Sequence, residues 1–333
     1  MVLGQVRVSD NGAIEFPYNI CIDGHSNGCL TRVVTHIHAD HTLHLDKSII
    51  ASRYVIGTPI TVELLNVLGY NVPSIKTVLL NYGEAINFED VKLKLEVAQH
   101  IPGTAQVVVQ DGNSIVAYTS DFKNPGNGTK IIKDADILVI DATYGDPRYS
   151  RVDENHIWNE FIKIVRKLLT VAPIAIYAYY GKAHEVMNRL REEGIDAPFI
   201  LSHHHWKVNQ VLSKYGYNVR DTVLYGSREC DEIKRDGWFI EFHHATLFKS
   251  FRSRIGLFHI FLTGRFAKTI IKLDEGNSWI IGISGHADFN ELIYYIDEAK
   301  PSLLIVDGFR SNYAERFATI VKERLGLRVT VNP

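Results

Sequence analysis

Six consecutive residues, His36 to His41, carry four strong metal ligands, directly after an apolar run of Leu30, Val33 and Val34. His36 and His38 stand two apart, which puts both imidazoles on one face of an extended segment. Asp40 and His41 follow where the chain turns, so they can face a second ion beside the first. Imidazole nitrogen with carboxylate oxygen suits zinc, and manganese or iron can use the same donors. A solvated histidine-rich loop would not need this order of ligands behind a buried strand.

The rest of the chain allows a large scaffold for such a site. At 333 residues it can bury an extensive core and is expected to form two compact units. The formal net charge of -2 excludes a global basic field, so any nucleic-acid site must be local. The cysteines Cys21, Cys29 and Cys230 form no CxxC pair and no even set, so the expectation is free thiols in a reducing, cytoplasmic setting. No signal-like segment and no membrane-length apolar stretch is read.

Residues 1–150 read as short strands with Gly, Asn and Asp turns and one helix near 59–68. From 151 to about 275, strands alternate with helices, which predicts a mostly parallel sheet flanked by helices. Residues 276–333 return to the first style, with strands 279–283 and 303–306 and helices 289–299 and 311–325. The expected organisation is one domain interrupted by another: 1–150 and 276–333 around an insertion at 151–275.

The Thr35–His41 segment resembles the metal-binding signature of the metallo-β-lactamase superfamily. That resemblance asks for an earlier strand-end Asp, a later His and a later bridging Asp, and Asp23, His100 and Asp121 stand in that order. The interrupted organisation is similar to the β-CASP nuclease branch. Three motifs agree: Asp136 through the Asp141-Ala142-Thr143-Tyr144-Gly145 run, Ser284-Gly285-His286-Ala287-Asp288, and Tyr180-Gly181-Lys182-Ala183-His184-Glu185. Within the branch the chain resembles DNA-ligase-associated exonucleases and archaeal mRNA 3′-end processing factors. The fold class implied is α/β, an αββα metallo-β-lactamase sandwich interrupted by a β-CASP domain.

The resemblance implies roles residue by residue. His36, His38 and His100 would hold one zinc ion, Asp40 and His41 a second, and Asp121 both, with manganese as the alternative metal. Asp23 would orient a ligand imidazole through its ring N–H. Asp40 also belongs with the catalytic residues. His286 would be the general acid, oriented and kept protonated by Asp141. Asp307 stands where the branch carries a His, so it is expected either to replace that ligand or to leave the second ion weakly held. Lys182, Arg252, Arg254 and Arg265 are candidate substrate contacts. His203, His204 and His205 cannot all face one way, and a strand-to-helix loop with one cleft-facing member is expected.

The leading expectation is a dinuclear-zinc nuclease on single-stranded or end-exposed nucleic acid, DNA exonuclease favoured, working at the seam of two domains. A helicase or ligase is the candidate protein partner, and no membrane contact is expected. The alternatives are an RNA endo- or exonuclease, a metallo-hydrolase of a small thioester or lactone, and a non-catalytic nucleic-acid-binding module.

Overall fold

The computed structural model describes residues 6–88, 91–112, 114–151, 154–266, 270–273 and 277–333. The chain divides into two units, Met1–Ser150 with His286–Pro333, and Arg151–Gly285.

The first unit holds two sheets. One runs Arg7–Val8, Ile14–Phe16, Ile20–Ile22, Thr31–Val33, Tyr54–Gly57, Thr77–Leu79, and is parallel from Ile20–Ile22 onward. The other is antiparallel from Ala85–Phe88 to Ser114–Tyr118. It then continues as parallel strands Ile137–Ile140, Leu303–Asp307 and Val329–Asn332. Side chains alternate across each strand. In Ile137–Ile140, Ile137 and Val139 enter a core with Ile14, Ile22, Val33 and Ile56 of the first sheet. Leu138 and Ile140 turn the other way, onto Phe289, Leu292, Phe317 and Val321 of helices Phe289–Ala299 and Ala314–Leu325. Helices Leu45–Ala51 and Pro59–Val67 lie against strand Tyr54–Gly57 of the first sheet. The result is a helix–sheet–sheet–helix sandwich, as the αββα expectation requires.

This layout explains where functional side chains emerge. The parallel strands of each sheet end in loops on the same edge, and ligand sites of α/β sheets form outside such carboxyl ends. Asp23 follows Ile20–Ile22, Thr35 to His41 follow Thr31–Val33, and Asp141 follows Ile137–Ile140. Asp23 and Ser120 are non-glycine residues with φ of 55° and 56°. Left-handed backbone at such positions needs support from its surroundings. At Asp23 that support includes its N–H, which donates to Val33 O at 3.1 Å.

The second unit is one seven-stranded sheet in the order Thr222–Leu224, Phe199–Leu201, Ile240–His244, Ile174–Ala178, Phe258–Leu262, Ser278–Ile281, Ile270–Lys272. Its pairings are parallel except at the Ile270–Lys272 edge. Helices Glu154–Leu169 and Tyr180–Glu192 bury Phe161, Val165, Val186 and Leu190 against the Ile174, Ile176, Phe242 and Ile260 face. The opposite face carries Tyr177, Glu241, His243 and His259, all buried.

Two expectations are corrected. Strand Ser278–Ile281, assigned from sequence to the returning segment, pairs in parallel with Phe258–Leu262 and belongs to the second unit's sheet. Its apolar pattern is equally suited to either sheet, so only pairing decides. Cys21 and Cys29 are bridged, with Cα atoms 5.8 Å apart, while Cys230 is buried and free. Their eight-residue separation hid a partnership made by the parallel placement of the 20–22 strand and the 31–33 strand. Among the described residues, no helix is long and apolar enough to cross a membrane.

Candidate metal centre

Strand Thr31–Val33 ends and the chain turns, with His41 N donating to His38 O at 3.0 Å. His36 Nε2 lies 3.2 Å from His38 Nδ1, and His100 Nε2 lies 3.1 Å from the same His38 nitrogen. Asp121 Oδ2 stands 3.5 Å from His36 Nε2 and 3.4 Å from His100 Nε2. Tetrahedral bonds of about 2.0–2.1 Å place neighbouring donors roughly 3.3–3.4 Å apart. The spacing of these four donors therefore fits a zinc-sized ion.

The other Asp121 oxygen points elsewhere. Oδ1 is 3.3 Å from His41 Nε2, which is 3.6 Å from Asp40 Oδ2. His41 Nε2 is buried and has no hydrogen-bond partner among the described residues. A buried, unsatisfied imidazole nitrogen facing two carboxylates is what a ligand to a cation looks like. One carboxylate thus faces two donor groups, as a bridging ligand would.

Electrostatics separate the two groups. Burial holds the His38 imidazole down at about 3. Burial likewise lowers His36 and His100, so all three present neutral nitrogens. Burial also opposes charge on His41, but Asp121, Asp40 and Asp23 outweigh it and hold that ring well above its ordinary value. Excess carboxylate charge gathers on the Asp40 and His41 side.

Asp23 anchors that side from behind. Its carboxylate accepts from Thr35 N at 2.8 Å, Thr35 Oγ1 at 2.6 Å and His41 Nδ1 at 2.7 Å. His286 Nδ1 lies 3.6 Å from Asp121 Oδ2 and 3.5 Å from Asp141 Oδ2. Burial disfavours its charge, yet the carboxylates of Asp121 first and Asp141 second raise it above the ordinary imidazole value. Asp141 Oδ1 is in turn fixed by Thr143 N at 3.1 Å and Thr143 Oγ1 at 2.8 Å. All of these residues belong to the first unit.

Of the two expectations for Asp307, the replacement ligand is corrected. It is fully buried, and Oδ1 accepts from Phe309 N and Arg310 N while Oδ2 accepts from Arg310 Nη1 at 2.8 Å. The short carboxylate turns into its own loop and does not join the histidines. Arg310, which sequence reasoning missed, reaches the carbonyls of Gly12 at 2.8 Å, Asp23 at 3.1 Å and Asp40 at 2.8 Å through Nη2. The available signal was an Asp and an Arg three apart after an apolar strand.

The substrate candidates fare unevenly. Lys182 Nζ bonds Glu185 Oε2 and Ser284 O, and its side chain is only 8% exposed, so the expected phosphate seat is closed by its own helix and loop. Arg254 Nη1 is held by the buried Glu241 carboxylate at 2.9 Å, which corrects its reading as a strand-binding cation. Arg252 is half-buried at the end of helix Phe248–Phe251, and Arg265 is exposed after strand Phe258–Leu262. His203 to His205 form the first turn of helix His203–Lys214, not a loop, with His205 alone buried.

The fold, the ligand order and the relatives together place the chain in the metallo-β-lactamase superfamily, in its β-CASP nuclease branch. No protein-family model matches the chain. An uncharacterized protein in the lig 3′ region of Acidianus ambivalens is 44% identical, over 41% of this chain and 98% of its own length. A probable RNase of Methanocaldococcus jannaschii is 27% identical over 44% of this chain, and the transcription termination factor FttA of Pyrococcus abyssi is 23% identical over 81% of it. The chain spans 36% and 55% of the lengths of these two. A solved structure of a protein of unknown function from Enterococcus faecalis shares the fold, with TM-score 0.57, 14% identity, and coverage of 86% of this chain and 76% of that one.

Proposed function

We propose that the chain is a dinuclear zinc phosphodiesterase that cuts single-stranded or end-exposed nucleic acid. The observation that carries this reading is the position of Asp121, which faces His36 and His100 with one oxygen, His41 with the other, and lies 3.6 Å from His286. A pair of metal ions bound there would activate water and stabilise charge on the transferring phosphate.

The protein residues do the rest. Asp23 and Thr35 keep His41 in one tautomer, with Nδ1–H donating and Nε2 turned to the metal side. His286 directs Nδ1 at two carboxylates, which favours its imidazolium, the form that would protonate the departing alkoxide. A thioester expels a thiolate, which departs more readily than an alkoxide and needs no such acid.

DNA exonuclease action is the finer reading, which follows the resemblance to DNA-ligase-associated exonucleases. RNA cleavage is the second reading, favoured by the relative whose name is a probable RNase. The test is a time course with zinc- or manganese-loaded protein on matched 5′- and 3′-labelled single-stranded DNA and RNA. Mononucleotide release from one DNA end supports the finer reading, and cutting confined to RNA replaces it with the second. Intact DNA and RNA with two bound ions would overturn the phosphodiesterase proposal.

A further inference from the structure

We infer that Arg310, locked by Asp307, is a positioning residue that acts first on the Asp40 and His41 half of the metal centre. This inference rests on the metal reading above and goes beyond it by assigning the two halves separate supports.

The guanidinium side chain is 2% exposed and Asp307 is fully buried. Nη1 is held by Asp307 Oδ2, which aims Nη2 at three backbone carbonyls from three loops: Gly12, Asp23 and Asp40. Two of these contacts fall on residues of one ligand group or its support, although the Asp40 loop also carries His36 and His38 at its start. Asp40 is itself in that group, and Asp23 grips the ring of His41. The first loop is shaped for this contact, because Gly12 has φ of 79° and a Cβ there would lie 2.6 Å from the Phe309 ring. Phe309 and Arg310 thus hold the same turn from both sides.

Among the described residues, the hydrogen bonds of Arg310 go to Asp307, Gly12, Asp23 and Asp40, and not to the side chains of His36, His38, His100 or Asp121. A planar, always-charged donor fork can serve several acceptors at fixed angles, which lysine cannot do. The sequence change that removes the usual His from this strand end therefore supplies a carboxylate for an arginine clamp. That clamp sets the backbone under the second ligand group instead of contributing a ligand to it.

The test compares wild type with R310M and D307N in two readouts. Chelator-competition titration with zinc measures each ion's affinity. Hydrogen exchange on metal-free protein measures the Thr35 amide, which donates to Asp23. The expected result is one ion bound as in wild type, the other weakened about tenfold or more, and Thr35 exchange faster by a similar factor. Amides of strand Ile137–Ile140 should be unchanged. D307N keeps the side-chain shape and serves if R310M does not fold.

Unchanged second-ion affinity and unchanged Thr35 exchange would overturn the inference, and so would equal weakening of both ions. If wild type itself takes only one ion, the dinuclear reading fails, and Thr35 exchange alone decides for or against the clamp.

Discussion

Asp23 and His41 form a fully buried pair, carboxylate Oδ2 to imidazole Nδ1 at 2.7 Å, eighteen residues apart in sequence. Burial raises the Asp23 carboxyl, but the His41 charge and hydrogen bond outweigh it and lower it below its usual value. Asp23→Asn would keep the shape and lose the charge. Removing such an orienting partner weakens metal binding about 10–100-fold. Competition titration of D23N should show that loss at the Asp40 and His41 ion and a smaller one at the ion of His36, His38 and His100, because Asp23 reaches His36 only through Thr35 Oγ1, 3.1 Å from its Nδ1.

His286 should separate chemistry from metal binding. His286→Ala is expected to slow oligonucleotide cleavage about 10²–10⁴-fold, the range for loss of a general acid. Zinc content, measured by mass spectrometry of the desalted protein, should match wild type. A full metal complement with full activity would remove His286 from the mechanism.

Glu241 makes an acid-stability prediction in the second unit. It is buried and pairs with Lys234 at 2.8 Å, His243 at 2.8 Å and Arg254 at 2.9 Å. Burial pushes its carboxyl up, yet hydrogen bonds from His243, Arg254 and Lys234 bring it down from 4.5 to about 2. A depressed carboxyl stabilises the fold above its unfolded value and loses that contribution as pH falls toward its folded one. The window is therefore about pH 4.5 to 2, and the whole contribution is about 3 kcal/mol. Glu241→Gln should flatten the acid limb of a stability-versus-pH curve. At pH 7 it should lower the second unit's melting temperature, because three cationic or imidazole groups lose their shared anion.

The Cys21–Cys29 bridge closes a short loop beside Asp23. Cross-links of this length stabilise by roughly 2–3 kcal/mol through the unfolded chain. The double variant C21A/C29A should melt lower by that equivalent, and a strong reductant should lower the wild type similarly. A wild type indifferent to reductant would show that the bridge adds no stability.

Much of the site was legible because ligand chemistry is local. His36, His38, Asp40 and His41 share one loop, and Asp23, His100, Asp121, Asp141 and His286 each close an apolar segment. Helix Phe289–Ala299 was readable to its ends because Asp288 and Glu291 form a capping box. What failed depended on partners. Lys182, Arg254 and Asp307 were read as outward-facing or ligand groups, yet each side chain found an opposite charge within the fold. Arg310 could not be weighed, since its three acceptors are backbone carbonyls that carry no residue identity. Cys21 and Cys29 met only through strand pairing.

Strand Ile137–Ile140 has Leu303–Asp307 as its parallel neighbour, so the first unit's sheet closes only with the last part of the chain. All of the proposed ligands precede residue 122, while His286 comes after the entire inserted unit. A ribosome making this protein therefore releases the ion-binding loops first and the proton donor last. The candidate site is therefore completed from the far end of the chain: the proposed proton donor, strand Leu303–Asp307 and Arg310 all arrive after the inserted unit has been made.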